Sequence, residues 1–164
     1  MTRRALLIAI LGPASLFLAP GRARAACAPL SLCSCSVTAT SVNFGIYNPL
    51  SSVANDSTGT VRVVCTLTVA LPGSFTVDLS TGGSGSYAAR KLRNGTSNLL
   101  YNLYTDTTHT QVWGNGTGGS VEVSRTFSGL LAIDRSLTIY GRIAAGQNVP
   151  AGTYNDTILV TVTY

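Results

Sequence analysis

An all-β sandwich is the fold class this sequence predicts, on three observations. Apolar and polar residues alternate with a period of two over many short segments, the mark of half-buried strands. Gly, Asn, Ser, Thr and Pro punctuate these segments roughly every dozen residues, the spacing of a sandwich. And no stretch carries apolar residues at i, i+3, i+4 and i+7 between helix caps.

Taken in order, the chain opens with an address label. Arg3 and Arg4 give a basic start, Ala5 to Ala19 an apolar run, and Ala23-Arg24-Ala25 a small-x-small cleavage pattern. Residues 1–25 are therefore read as a signal peptide, cut near Ala25 or Ala26, and 26–164 as one domain. The run is too short for a membrane span. Arg3-Arg4 raises the twin-arginine route, but its surroundings match poorly and ordinary secretion is the better reading. Arg24 stands where a lipoprotein site would want an apolar residue, which argues against lipidation at Cys27.

Removal of the leader changes the charge. Arg3, Arg4, Arg22 and Arg24 are four of the 11 basic residues, whereas all 6 acidic residues remain, so the mature chain is nearly neutral. The basic character of the precursor therefore says nothing about nucleic acid. Arg90-Lys91-Arg93 reads as a solvated strand or turn edge. About 138 residues remain, enough for one domain with a real core.

Strands are expected over 36–45, 60–69, 75–80, weakly 89–92, 99–105, 121–127, 136–143 and 156–164, with a short segment at Val112-Trp113. Turns are expected at Asn48-Pro49, over 55–59, at Gly82–Ser86, Asn94-Gly95, over 115–119 and over 149–153. In the last strand Ile158, Val160, Val162 and Tyr164 alternate against Thr157, Thr161 and Thr163, with Leu159 the apolar intruder. Nothing follows it in the sequence. A strand in that position leaves a row of backbone donors and acceptors open unless another polypeptide covers it.

All 4 cysteines lie beyond the leader and enter an oxidising compartment, where disulfides are the default. Three pairings exist. Cys33 and Cys35 are too close to bond each other easily. Pairing Cys35 with Cys65 would tie the first strand to the second and leave Cys27 with Cys33. A zinc site is a poor alternative for C-x-C without a nearby His.

The ordered set Cys35–Tyr47, Thr60–Cys65, Leu100–Tyr104, Trp113-Gly114, Tyr140–Ile143 and Val149–Asp156 resembles the spore coat protein U family. That family includes subunits of Csu-type pili assembled by the archaic chaperone–usher pathway. The resemblance spans essentially the whole mature chain. It implies an immunoglobulin-like sandwich, incomplete because its final strand is missing. A periplasmic chaperone lends that strand, and an outer-membrane usher exchanges it for the N-terminal extension of the next subunit. This is donor-strand complementation, a form of β-strand addition. The resemblance further implies a non-enzymatic structural subunit of a surface pilus or coat in a Gram-negative bacterium, secreted through the periplasm. Its partners would be the chaperone, the usher and other pilus or coat subunits, with no nucleic acid and no cofactor. By position, Ile158, Val160, Val162 and Tyr164 would line the acceptor groove and meet the chaperone, and Cys35 and Cys65 would match the family's disulfide.

One departure concerns donation. Only nine residues, Ala26 to Ser34, precede Cys35 in the mature chain, with Pro29 and a Cys27–Cys33 loop among them. At roughly 3.3 Å per residue this segment spans less than ~30 Å. The sequence reads as an acceptor whose short, cysteine-bound N-terminus is a poor donor, and a subunit that accepts without donating would be terminal in a fibre or a coat protein outside a pilus.

Enzyme chemistry finds little. His109, within a run of threonines, reads as a solvated loop residue and not as a base. Gly82–Ser86 lacks the last glycine of G-x-S-x-G. Gly114–Gly119 matches G-x-G-x-x-G but leads into a strand pattern, so the phosphate-binding context fails. The aspartates are scattered, without a calcium loop, and Asp156 reads as the opening residue of a strand. Four N-x-S/T matches, beginning at Asn55, Asn94, Asn115 and Asn155, are expected by chance in so polar a sequence. Trp113, with Tyr101 and Tyr104 upstream, offers a second function, an adhesive patch stacking on glycan or an abiotic surface. Tyr101 and Tyr104 fall on opposite faces of their strand, so core or rim positions are the better reading.

Overall fold

Two antiparallel sheets face each other across a common apolar core, in a computed structural model that describes residues 4–10, 23–26, 33–70, 72–128 and 131–164. In chain order the strands are β1 (Arg4–Ile10), β2 (Ala23–Ala26), β3 (Cys33–Thr40), β4 (Asn55–Leu67) and β5 (Gly73–Leu79). There follow β6 (Arg90–Asn94), β7 (Ser97–Tyr104), β8 (Val123–Phe127), β9 (Ala132–Ile143) and β10 (Asp156–Thr163). One sheet runs β1-β10-β5-β8 and the other β2-β3-β4-β9-β7-β6. Helix among the described residues is confined to one 3-10 turn, Gly82–Ser84.

Alternation decides which face each strand buries. On β4, Val61, Val63 and Cys65 are buried between more open neighbours, and on β5 Phe75, Val77 and Leu79 are. These residues join Ile133, Ile139 and Ile143 of β9 and Leu99, Tyr101 and Leu103 of β7 in one core cluster. Because the side-chain period is two, a slip of one residue in any pairing would turn such a set to solvent. The registers keep them inward: Val63 faces Val37 on β3, and Val160 faces Leu79 on β5. The β6–β7 hairpin closes with Asn94 opposite Ser97, and Gly95 supplies the positive φ of 57° that the tight turn requires.

Two expectations need correction. Residues 55–59 are not a turn but the first five residues of β4, paired with β9 from Asn55↔Ile143 to Gly59↔Ile139. Backbone pairing does not discriminate against polar side chains, and Gly59 fits because a Cβ there would lie 2.9 Å from both the Thr40 carbonyl and the Val42 side chain. Nor is the Arg90 cluster wholly solvated, since Arg90 is fully buried.

The segment read as a leader is also structured in part. Arg4–Ile10 pairs along the whole of β10's outer edge, from Arg4↔Val162 to Ile10↔Asp156. Ala23–Ala26 pairs with β3. An apolar run with no breaker before Gly12 is a ready occupant for an open sheet edge.

Candidate functional site

The outer edge of β10 is the feature with most to offer. Ile158, Val160 and Val162 are buried at 1%, 1% and 4% exposure, while Thr157 on the alternate face is exposed. Each of the three aliphatic side chains contributes about 1.5–3 kcal/mol by leaving water. On its inner side β10 pairs with β5 through Val160↔Leu79 and Val162↔Val77. Its other side pairs with β1, antiparallel, across seven positions. Among the described residues β10 has no further neighbour, so without β1 its edge would stand open. Tyr164 lies just past the paired strand and packs half-buried against the core.

Asp156 fixes where β10 begins. Its carboxylate is buried and accepts from the Tyr101 hydroxyl at 2.7 Å, from the Gly83 amide at 2.8 Å and from the Thr157 amide at 2.8 Å. Three donors satisfy a buried anion that would otherwise be costly. Burial, with the Asp156 charge adding to it, pushes the Tyr101 phenol far above its usual range, so the hydroxyl stays a donor.

Comparison with known proteins places this architecture. The profile of the Spore Coat Protein U domain matches residues 23–161. The chain belongs to the spore coat protein U family. It is 36% identical over 132 residues to "Protein U" of Myxococcus xanthus, covering 75% of this chain and 71% of that protein. Its fold is similar, at a TM-score of 0.55 and 22% identity, to a chain in the crystal structure of a chaperone–tip adhesion subunit pre-assembly complex. That complex comes from the archaic chaperone-usher Csu pili of Acinetobacter baumannii. The match covers 81% of this chain and 40% of that one.

Within this spore coat protein U domain, Cys35 and Cys65 face each other on β3 and β4 and form a disulfide with S–S 2.08 Å. Cys33 is itself disulfide-bonded, and its expected partner, Cys27, lies outside the described residues.

Trp113 is a core residue. It is 1% exposed, and its indole nitrogen donates to the Val77 carbonyl at 2.8 Å. Its ring is not available to stack on a surface ligand, which corrects the adhesive reading of that side chain. Tyr101 is buried and Tyr104 only half-buried, as expected of opposite faces.

Arg90 is the residue that sequence reasoning missed. Its guanidinium donates to the Ser80 carbonyl from Nε at 3.0 Å and from Nη2 at 2.8 Å, to Asn102 Oδ1 at 2.7 Å and to the Trp113 carbonyl at 2.7 Å. The Tyr87 ring lies 5.3 Å from it. One side chain thus ties β6, β7, the end of β5 and the Trp113 segment together. The signal was available: Arg90 shares its period with Leu92, which faces the core.

His109 is packed and not solvated. It has a φ of 56°, its side chain is 8% exposed, and its ring meets Tyr104 and Tyr140 edge-on at 5.1 and 6.5 Å. Nε2 lies 4.0 Å from Asp56 Oδ1, and Asp56 is itself clamped by Arg142 at 2.7 and 2.6 Å. The nearby loop is closed by Asp106, which accepts from the Thr108 hydroxyl and from the Thr110 and Gln111 amides. The described residues contain no group of three or more metal-ligating side chains.

Proposed function

We propose that this protein is a secreted structural subunit of a surface pilus or coat, completed by a strand from another polypeptide at the outer edge of β10. One observation carries the reading. The strand that covers this edge, Arg4–Ile10, belongs to the segment expected to be removed as a leader. Cleavage near Ala25 or Ala26 would leave residues 26–164 with Ile158, Val160 and Val162 facing a groove and β10's backbone unpaired. Family membership and the likeness of fold to a pilus subunit complex support the same reading.

In this mechanism a periplasmic chaperone first covers the edge, and an outer-membrane usher hands it to the extension of a neighbouring subunit. Main-chain hydrogen bonds supply affinity, and alternate side chains pack over Ile158, Val160 and Val162. No catalytic step is required. Val160→Asp, or deletion of residues 157–164, should abolish secretion when the chaperone is co-expressed. Normal surface display of either variant would sink the proposal. An adhesive role remains a second reading, but with Trp113 in the core it would have to use the surrounding loops.

A further inference from the structure

The strand on β10 has a direction, and that direction points at an apolar surface. β1 runs antiparallel to β10, so its last residue, Ile10, sits opposite Asp156, the first residue of β10. A polypeptide seated there leaves the groove beside Thr153 and Tyr154. Those two residues line a cavity of about 320 Å³ at the same end of the sandwich, enclosed by the loops over 41–54 and 144–155. Phe44, Tyr47, Val149 and Pro150 form its walls.

The cavity is preformed. The Tyr47 hydroxyl donates to the Ala144 carbonyl at 3.1 Å and accepts from the Gln147 amide at 2.8 Å. Asn55 Nδ2 donates to the Phe44 carbonyl at 3.0 Å. Ile46, which lines it, is 90% exposed, and the same 41–54 loop carries Leu50 at 92% and Val53 at 72%, the most exposed large apolar side chains of the described residues. Neither loop contains a charged residue. An uncharged end face of this kind, with exposed aliphatic side chains, marks a protein contact surface.

Resting on the acceptor reading above, we propose that this end face receives the body of the strand-donating subunit, a second domain of the same fold. The donor's strand and the donor's body would then form one continuous interface, the body following the strand out of the groove at Asp156.

The test places a photo-crosslinking residue at Ile46, or separately at Leu159 on β10, in bacteria that display the protein. Adducts from both positions are expected, with the Ile46 adduct mapping to the folded part of a second subunit and the Leu159 adduct to its extension. Leu159 adducts without Ile46 adducts would overturn this inference while leaving the acceptor groove standing. Absence of both would remove the groove reading and this inference together, and Ile46 adducts alone would break the link between strand and end face. Ile46→Asp/Leu50→Asp should lower surface polymer at least tenfold while the chaperone-bound subunit persists. Normal polymer that no longer holds the cell to hydrophobic plastic would instead make this end an adhesive tip, and overturn the proposal.

Discussion

The Tyr101 hydroxyl on β7 donates to Asp156 at the start of β10, 2.7 Å away, and so joins the two sheets at the point where the open edge begins. Removing that donor leaves a buried carboxylate with two amide partners. Tyr101→Phe should cost about 1.5–3 kcal/mol, the range for a hydrogen bond to a charged group. Urea unfolding of the strand-complemented domain measures it. Raised far above its ordinary 10.0 by burial, the Tyr101 phenol contributes stability that is complete below pH 10 and is lost as pH rises beyond that value. The alkaline decline should be shallower in Tyr101→Phe.

Arg90 should tolerate no substitute. Lysine keeps the charge but cannot reach the Ser80 and Trp113 carbonyls and Asn102 at once, because it lacks the planar fork. Arg90→Lys is expected to cost about 3 kcal/mol or more, as buried acceptors are left unmet. Thermal unfolding of the same strand-complemented domain would register this as a lowered midpoint, and an unchanged midpoint would contradict the bridging role of Arg90.

The Cys35–Cys65 disulfide closes a loop with a sequence separation of 30. Chain entropy alone gives about 3.5 kcal/mol for such a loop. Cys35→Ser/Cys65→Ser should therefore lose roughly that much in denaturant unfolding. The double mutant should also abolish the part of the wild-type response to reductant that this bridge carries.

Acid should weaken the fold through carboxylates already held in hydrogen bonds. The Thr108 hydroxyl and the Thr110 amide hold Asp106 well below its ordinary 3.8, and Arg142 lowers Asp56 as Arg62 lowers Asp134. A depressed native value means a contribution fully present above pH 3.8 and lost as pH falls through the native values. Melting temperatures between about pH 5 and pH 2 should fall less steeply in Asp106→Asn than in the wild type.

Much of this was legible in the sequence because strands announce themselves by alternation. Ile158, Val160 and Val162 point inward as their spacing demands, and the β6–β7 turn sits at Asn94-Gly95 as expected. What local pattern could not supply was tertiary. Asn55 to Gly59 looked like a turn, yet the long β9 offered them a backbone partner, and pairing through the main chain does not consult side-chain polarity. The packing of His109 depends on Tyr104 and Tyr140, the latter far along the chain. Arg90 was hidden by its charged neighbours, although its period shared with Leu92 pointed inward. The cavity behind Ile46 arises only where two distant loops meet.

The central claim is that residues 26–164 need a strand from outside themselves. Arg4 faces Val162, so the segment RALLIAI can be returned to β10 by a short turn fused after Tyr164, keeping the antiparallel register. Urea unfolding of residues 26–164 with and without this fused strand tests the claim most directly. The predicted result is a single cooperative transition for the fused chain and an aggregating or non-cooperative species without it. A stable, cooperatively unfolding monomer of residues 26–164 alone, unchanged by the added strand, would contradict it.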